Sequence, residues 1–96
     1  MEVVSRLRAI IPARYKDRVV SFLQKMGFYS RRRDREEHYW RYGKNGRIHV
    51  ILKPFRKKHG KLLLKIHLDC FPCIILQYSP TVSNLLRELL KICHIA

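Results

Sequence analysis

Residues 36–54 read EEHYWRYGKNGRIHVILKP, two alternating runs around a turn, and their pairing decides which side chains face a core. KNG at 44–46 is a hairpin signal, with Gly46 able to supply the positive φ of such turns. Two registers compete. A two-residue Asn45–Gly46 loop pairs Trp40 with Ile51 and mixes polar and apolar side chains on both faces. A three-residue Lys44–Asn45–Gly46 loop pairs Trp40 with Val50. It gathers His38, Trp40 and Tyr42 with Ile48, Val50 and Leu52, and leaves Glu37, Tyr39, Arg41, Arg47, His49 and Lys53 opposite. A slip of one residue exchanges the faces. The three-residue loop segregates them better and is the expected register, with Trp40 inside and Tyr39 outside.

Upstream, residues 13–26 form the clearest helix. Tyr15, Val19, Phe22, Leu23 and Met26 fall on one face at three- and four-residue spacing. Gly27 suits the position after the helix, and Phe28 can fold back on its last turn. Residues 3–11, VVSRLRAII, fit a strand by their β-branched content and a helix by the spacing of Val3, Leu7, Ile10 and Ile11. Between helix and hairpin, YSRRRDREE is a charge run, either a solvated loop or strand start, or an arm placing Arg31, Arg32, Arg33 and Arg35 on phosphates.

Downstream, PFRKKHG (54–60) is a basic loop. KLLLKIHLD (61–69) sets Leu62, Leu64, Ile66 and Leu68 against Leu63, Lys65, His67 and Asp69, the alternation of a strand, although its leucines and lysines also suit a helix. CFPCIILQY (70–78) is an apolar crossover or short edge strand. SPTVSNLLRELLKIC is a second helix, with Ser79 or Thr81 as cap, Pro80 in the first turn and a stripe of Val82, Leu85, Leu86, Leu89 and Cys93. The expectation is one α+β domain over residues 1–96. It has an antiparallel sheet of three to four strands, with two helices on one face, in the order β-α-β-β-β-α with the first strand uncertain.

The 96 residues carry 21 Lys and Arg against 7 Asp and Glu, a formal charge of +14. Such a field attracts polyanions, and RNA or DNA is the partner class it fits best. No apolar run reaches the ~18 residues of a membrane span, and MEVVSRLRAII lacks the pattern of a signal peptide. Three cysteines cannot all pair within one chain, which argues against a secreted disulfide scaffold. An intracellular, cytoplasmic protein without cofactor or membrane partner is expected. Its oligomeric state is left open.

On the open sheet face the expected register collects Tyr39, Arg41, Arg47, His49, Lys53, Lys65 and His67. Cations contact phosphates, and an aromatic ring can stack on an unpaired base. RNA is favoured slightly over DNA, because neither helix has the pattern of a major-groove recognition helix. Histidine offers a different chemistry. RNA cleavage needs a base for the 2′-hydroxyl proton and an acid for the leaving oxygen, and His38, His49 and His67 all lie on expected strands. FLQKMGF (22–28) followed by HYWRYGKNGRIHVILKP (38–54) resembles the HicA-type toxins across residues 14–60. Those are small interferases that cleave RNA on a double-stranded-RNA-binding-like fold. The resemblance implies a ribonuclease in which His38 stands at the family's catalytic histidine.

CFPC with CH near the end could supply four zinc ligands, Cys70, Cys73, Cys93 and His94. Adjacent residues on a helix point about 100° apart, however, and buried free thiols are the expected state, with no metal. No Gly-rich phosphate loop, G-x-S-x-G or H-E-x-x-H is present, and seven acids do not suggest a two-metal nuclease. The leading expectation is a non-enzymatic nucleic-acid-binding protein, with a HicA-like ribonuclease second. An assembly protein docking on an acidic partner is third.

Overall fold

A computed structural model describes the backbone of residues 2–42, 46–70 and 79–94; the side chains of residues 2–5, 33, 69, 70 and 79–83 fall outside the description. Five strands form one sheet: β1 (Glu2–Pro12), β2 (Tyr29–Arg33), β3 (Glu36–Tyr42), β4 (Gly46–Pro54) and β5 (Lys61–Cys70). With the helices α1 (Lys16–Lys25) and α2 (Ser79–Ile92) they make an α+β fold. The strand order is β1-β5-β4-β3-β2, and every neighbouring pair is antiparallel. Residues 3–11 are therefore strand. Leu7, Ala9 and Ile11 pair with Ile66, Leu64 and Leu62, while Arg6 and Arg8 point the other way.

β1 and β2 lie at opposite edges. A 3-10 turn (Ala13–Tyr15) and α1 carry the chain from one edge to the other, and β2 to β5 return as a meander. α1 ends as its sequence suggests. Gly27 adopts φ 87°, the Phe28 N–H donates to the Leu23 carbonyl at 3.0 Å, and the Gly27 N–H donates to Gln24 at 3.1 Å. This pair of bonds satisfies the orphan carbonyls of the last turn and turns Phe28 into the core. Met26, expected on the buried face, is instead 41% exposed.

The core lies between the helices and one face of the sheet. Val19 and Leu23 of α1, with Leu85 and Leu89 of α2, pack on Ile11, Val50, Leu52, Leu62, Leu64, Ile66 and Leu68. The alternation expected in β5 is present from Lys61 to Leu68. Two expectations are corrected. The charge run, read as a loop or strand start or as an arm, folds into β2, the turn Asp34–Arg35 and the start of β3, so the sheet has five strands where three to four were expected. Asp34 takes φ 55°, a conformation that Asp tolerates better than most side chains.

The second correction is the register. Trp40 pairs with His49 and Tyr39 with Val50, the last paired residues being Tyr42 and Arg47. Four residues separate that pair, where two or three were expected. β4 faces as expected, with Ile48, Val50 and Leu52 aligned against Leu68, Ile66 and Leu64 of β5. β3 is turned over. Tyr39 is buried at 2% exposure among the core residues, and His38, Trp40 and Tyr42 lie on the face away from the helices. Among the described residues, no helix is long and apolar enough to cross a membrane. Residues 71–78, and with them most of CFPCIILQY, lie outside the described residues.

Candidate nucleic-acid interface

Antiparallel pairing lines up side chains in rungs across the open face, and two rungs cross all five strands. The first runs Tyr29, Trp40, His49, His67, Arg6. The second runs Arg31, His38, Ile51, Lys65, Arg8. Each rung ends in an arginine on β1, and cross-strand neighbours on one face are close enough for rings to touch.

The first rung is a continuous row of rings. Trp40 and His49 are stacked, with centroids 4.7 Å apart and planes 9° from parallel. His49 meets His67 edge-on at 5.6 Å, and Tyr29 lies 6.1 Å from Trp40. Tyr29 also stacks on Tyr42 at 5.8 Å, and both tyrosines are more than half exposed. The Tyr42 hydroxyl beside it, more than its partial desolvation, raises the Tyr29 pKa. Arg47 donates to Tyr42 Oη at 3.4 Å. Trp40 Nε1 is buried with no hydrogen-bond partner among the described residues.

The two rungs are joined through a pair of imidazoles. His38 Nδ1 lies 2.8 Å from His49 Nε2, and the rings are 4.9 Å apart. One of these nitrogens must donate and the other accept, so the contact holds a single shared hydrogen. The other nitrogen of His38, Nε2, is 3.6 Å from Glu36 Oε1. Carboxylate, imidazole and imidazole thus follow one another, with a hydrogen bond between the two rings and the carboxylate just beyond hydrogen-bond distance of the first. Ile51 is buried at 8% exposure on this face, outside the helix-covered core cluster.

Cations crowd the other end of the second rung. Burial is the main cause that pushes the Lys65 pKa down, and repulsion from Lys53 and Arg8 adds to it; Glu36 opposes. An anion placed here would relieve that repulsion.

The structure brings together Arg47, His49, Lys53, Lys65 and His67 on the open face as expected, and adds His38, which the expected register turned inward, and Arg31, which was read as part of a separate arm. Tyr39 and Arg41 are corrected to the helix-covered side. Burial, with Glu37 second and Arg32 opposing, raises the Tyr39 pKa. Arg41 is exposed beside Phe22, Met26 and Phe28. Arg32 pairs with Glu37, on the helix side, where Lys16 reaches Glu37 at 2.8 Å. Arg33 is in β2 with its side chain outside the description, and Arg35 is exposed in the turn. Sequence reasoning missed Tyr29, Trp40 and Tyr42 as surface rings and Arg6 and Arg8 as surface cations. The alternation of Arg6, Arg8 with Leu7, Ala9 was the signal available for the arginines.

Of the four zinc candidates, Cys93 is a buried free thiol whose pKa burial raises. His94, at φ 54°, lies 3.2 Å from Arg18 Nη1 and edge-on to Tyr15. The Cys70 side chain and Cys73 lie outside the described residues. No cluster of three or more metal-ligating side chains occurs among the described residues.

The fold and face define an α+β sheet protein with one side covered by helices and the other basic and aromatic. Comparison with known protein families, with characterised proteins and with solved structures finds no match.

Proposed function

We propose that this protein binds single-stranded nucleic acid, RNA in preference to DNA, on the open face of its sheet. The observation that carries this reading is the row from Tyr29 to His67, flanked by Arg6, Arg8, Arg31, Arg47, Lys53 and Lys65. Flat rings spaced across a cationic surface match what unpaired bases and their phosphates require. The preference for RNA rests on the helices, whose apolar stripes are spent on the sheet. Trp40 is the only tryptophan, so its emission reports on the row directly. Titration with a short oligoribonucleotide at low salt should change that emission and saturate. Binding without any change in Trp40 emission would move the interface elsewhere.

A second reading is RNA cleavage, favoured by the 2.8 Å contact between His38 and His49 and by Glu36 behind it. Here His38, which stands where the resemblance to HicA-type toxins puts the catalytic histidine, takes the 2′-hydroxyl proton, and a second imidazole protonates the leaving oxygen. Incubation with a labelled RNA tests it. Cutting by the parent that His38→Ala abolishes, with Trp40 emission and binding retained, would establish the enzyme. An intact RNA with the parent protein would leave the binding reading alone.

A further inference from the structure

The open face does not end at its rungs. Where β3 begins and β4 ends, the Asp34–Arg35 turn and the β4–β5 connection wall a cleft of about 520 Å³. Arg35, Lys53, Arg56 and Lys57 line it together with Glu36 and Phe55. The volume lies in the range of small-molecule sites, roughly 300–1,000 Å³. The connection that carries Phe55, Arg56 and Lys57 is tied at its base by backbone bonds: the Phe55 N–H donates to the Lys61 carbonyl at 3.0 Å, and the Ala13 N–H donates to the Gly60 carbonyl at 2.9 Å. A held loop loses little freedom when a ligand enters.

The lining selects a ligand class. Four cations suit a phosphate, but a cleft for a bare oxyanion has no use for an aromatic side chain, for Leu63, or for the carboxylates of Asp34 and Glu36. A nucleotide uses all of them. Its phosphate meets the cations, its base or sugar covers the apolar wall, and its hydroxyl or amino hydrogens meet a carboxylate. Glu36 also faces His38, so the cleft is continuous with the rungs.

We infer that this cleft binds one nucleotide, with its phosphate on Arg56, Lys57 and Arg35 and its base against Phe55. The inference rests on the nucleic-acid reading of the face and gives that face an anchoring end. The nucleotide is either free or a unit of the bound strand.

The test uses the full 96-residue chain and titrates adenosine 5′-monophosphate, adenosine and inorganic phosphate by calorimetry. The monophosphate should bind at least about tenfold more tightly than either fragment, since only it engages both walls. In Arg56→Ala/Lys57→Ala, both exposed positions, its affinity should fall about tenfold with the melting temperature unchanged. Equal affinity for the monophosphate and inorganic phosphate would overturn the inference in favour of plain anion attraction. No monophosphate binding, with an oligoribonucleotide still shifting Trp40 emission, would overturn it and leave the face intact; silence from both would remove the two together. Competition between monophosphate and oligoribonucleotide would make the cleft a strand subsite, and simultaneous binding would make it a site for a free nucleotide. Both results uphold the site.

Discussion

Adjacent aromatic residues on β3 have opposite fates. Tyr39 is enclosed by the core, whereas Trp40 is half-buried between His49 and Tyr29 on the open face. Tyr39→Ala should therefore cost about 3–5 kcal/mol of stability, since it empties a packed site. Trp40→Ala should cost less stability but weaken oligonucleotide binding by about 1–3 kcal/mol if a base stacks there. Denaturant melts and fluorescence-independent titrations of the two variants separate the effects; reversed roles would contradict the register. Lys65 gives the second prediction at this scale. Its pKa is depressed by burial and by Lys53 and Arg8, so its charge disfavours the folded state. That cost is complete below the folded pKa and fades as pH rises from it through the ordinary lysine value. Lys65→Met should therefore hold or raise the melting temperature at neutral pH while weakening oligonucleotide binding. Converging melting temperatures of parent and variant at strongly alkaline pH would agree with this sign, and a lower value for the variant at neutral pH would refute it.

Elements with a strong period are legible in the sequence. Both helices and β5 declare themselves through apolar stripes, and the outward Arg47, His49, Lys53, Lys65 and His67 follow from β4 and β5. β2 does not declare itself. It is an edge strand, and edges are commonly guarded by charge, so YSRRR reads equally as a loop, a strand start or an arm. β3 fails for another reason. Its faces carry comparable aromatic content, and only partners fixed by the next hairpin decide between them. The site was misread at Tyr39, Arg41 and His38 for that reason alone. The stop of α1 was legible because a positive-φ glycine has few substitutes. Adding a Cβ at Gly27 meets nothing within 4 Å, so the whole cost of Gly27→Ala is conformational. About 1 kcal/mol is expected, measured by denaturant unfolding. A change near zero would mean that the turn relaxes out of its φ of 87°.

At the scale of the molecule, charge separates from shape. Arg6, Arg8, Arg31, Arg47, Lys53 and Lys65 share the open face, while the helices hold the other side of the sheet. If about six phosphates are neutralised, log K should fall with log[salt] at a slope of about −4 on single strands. Binding titrations across a salt series measure it. A slope near zero with binding intact would exclude backbone contacts as the source of affinity.

The two edge strands are joined by α1, and this shapes how the chain must fold. β2 to β5 pair with sequence neighbours, but β1 waits for β5: Pro12 meets Lys61 and Glu2 meets Cys70. Long-range closure is the slow step of sheet assembly. In pulse-labelled hydrogen exchange during refolding, the amides of the β2–β4 meander should gain protection before those of β1; simultaneous protection would show that the two close in one step. During synthesis β1 thus emerges well before its partner β5, and Arg6 and Arg8 give it the kind of charge that commonly guards an unpaired edge.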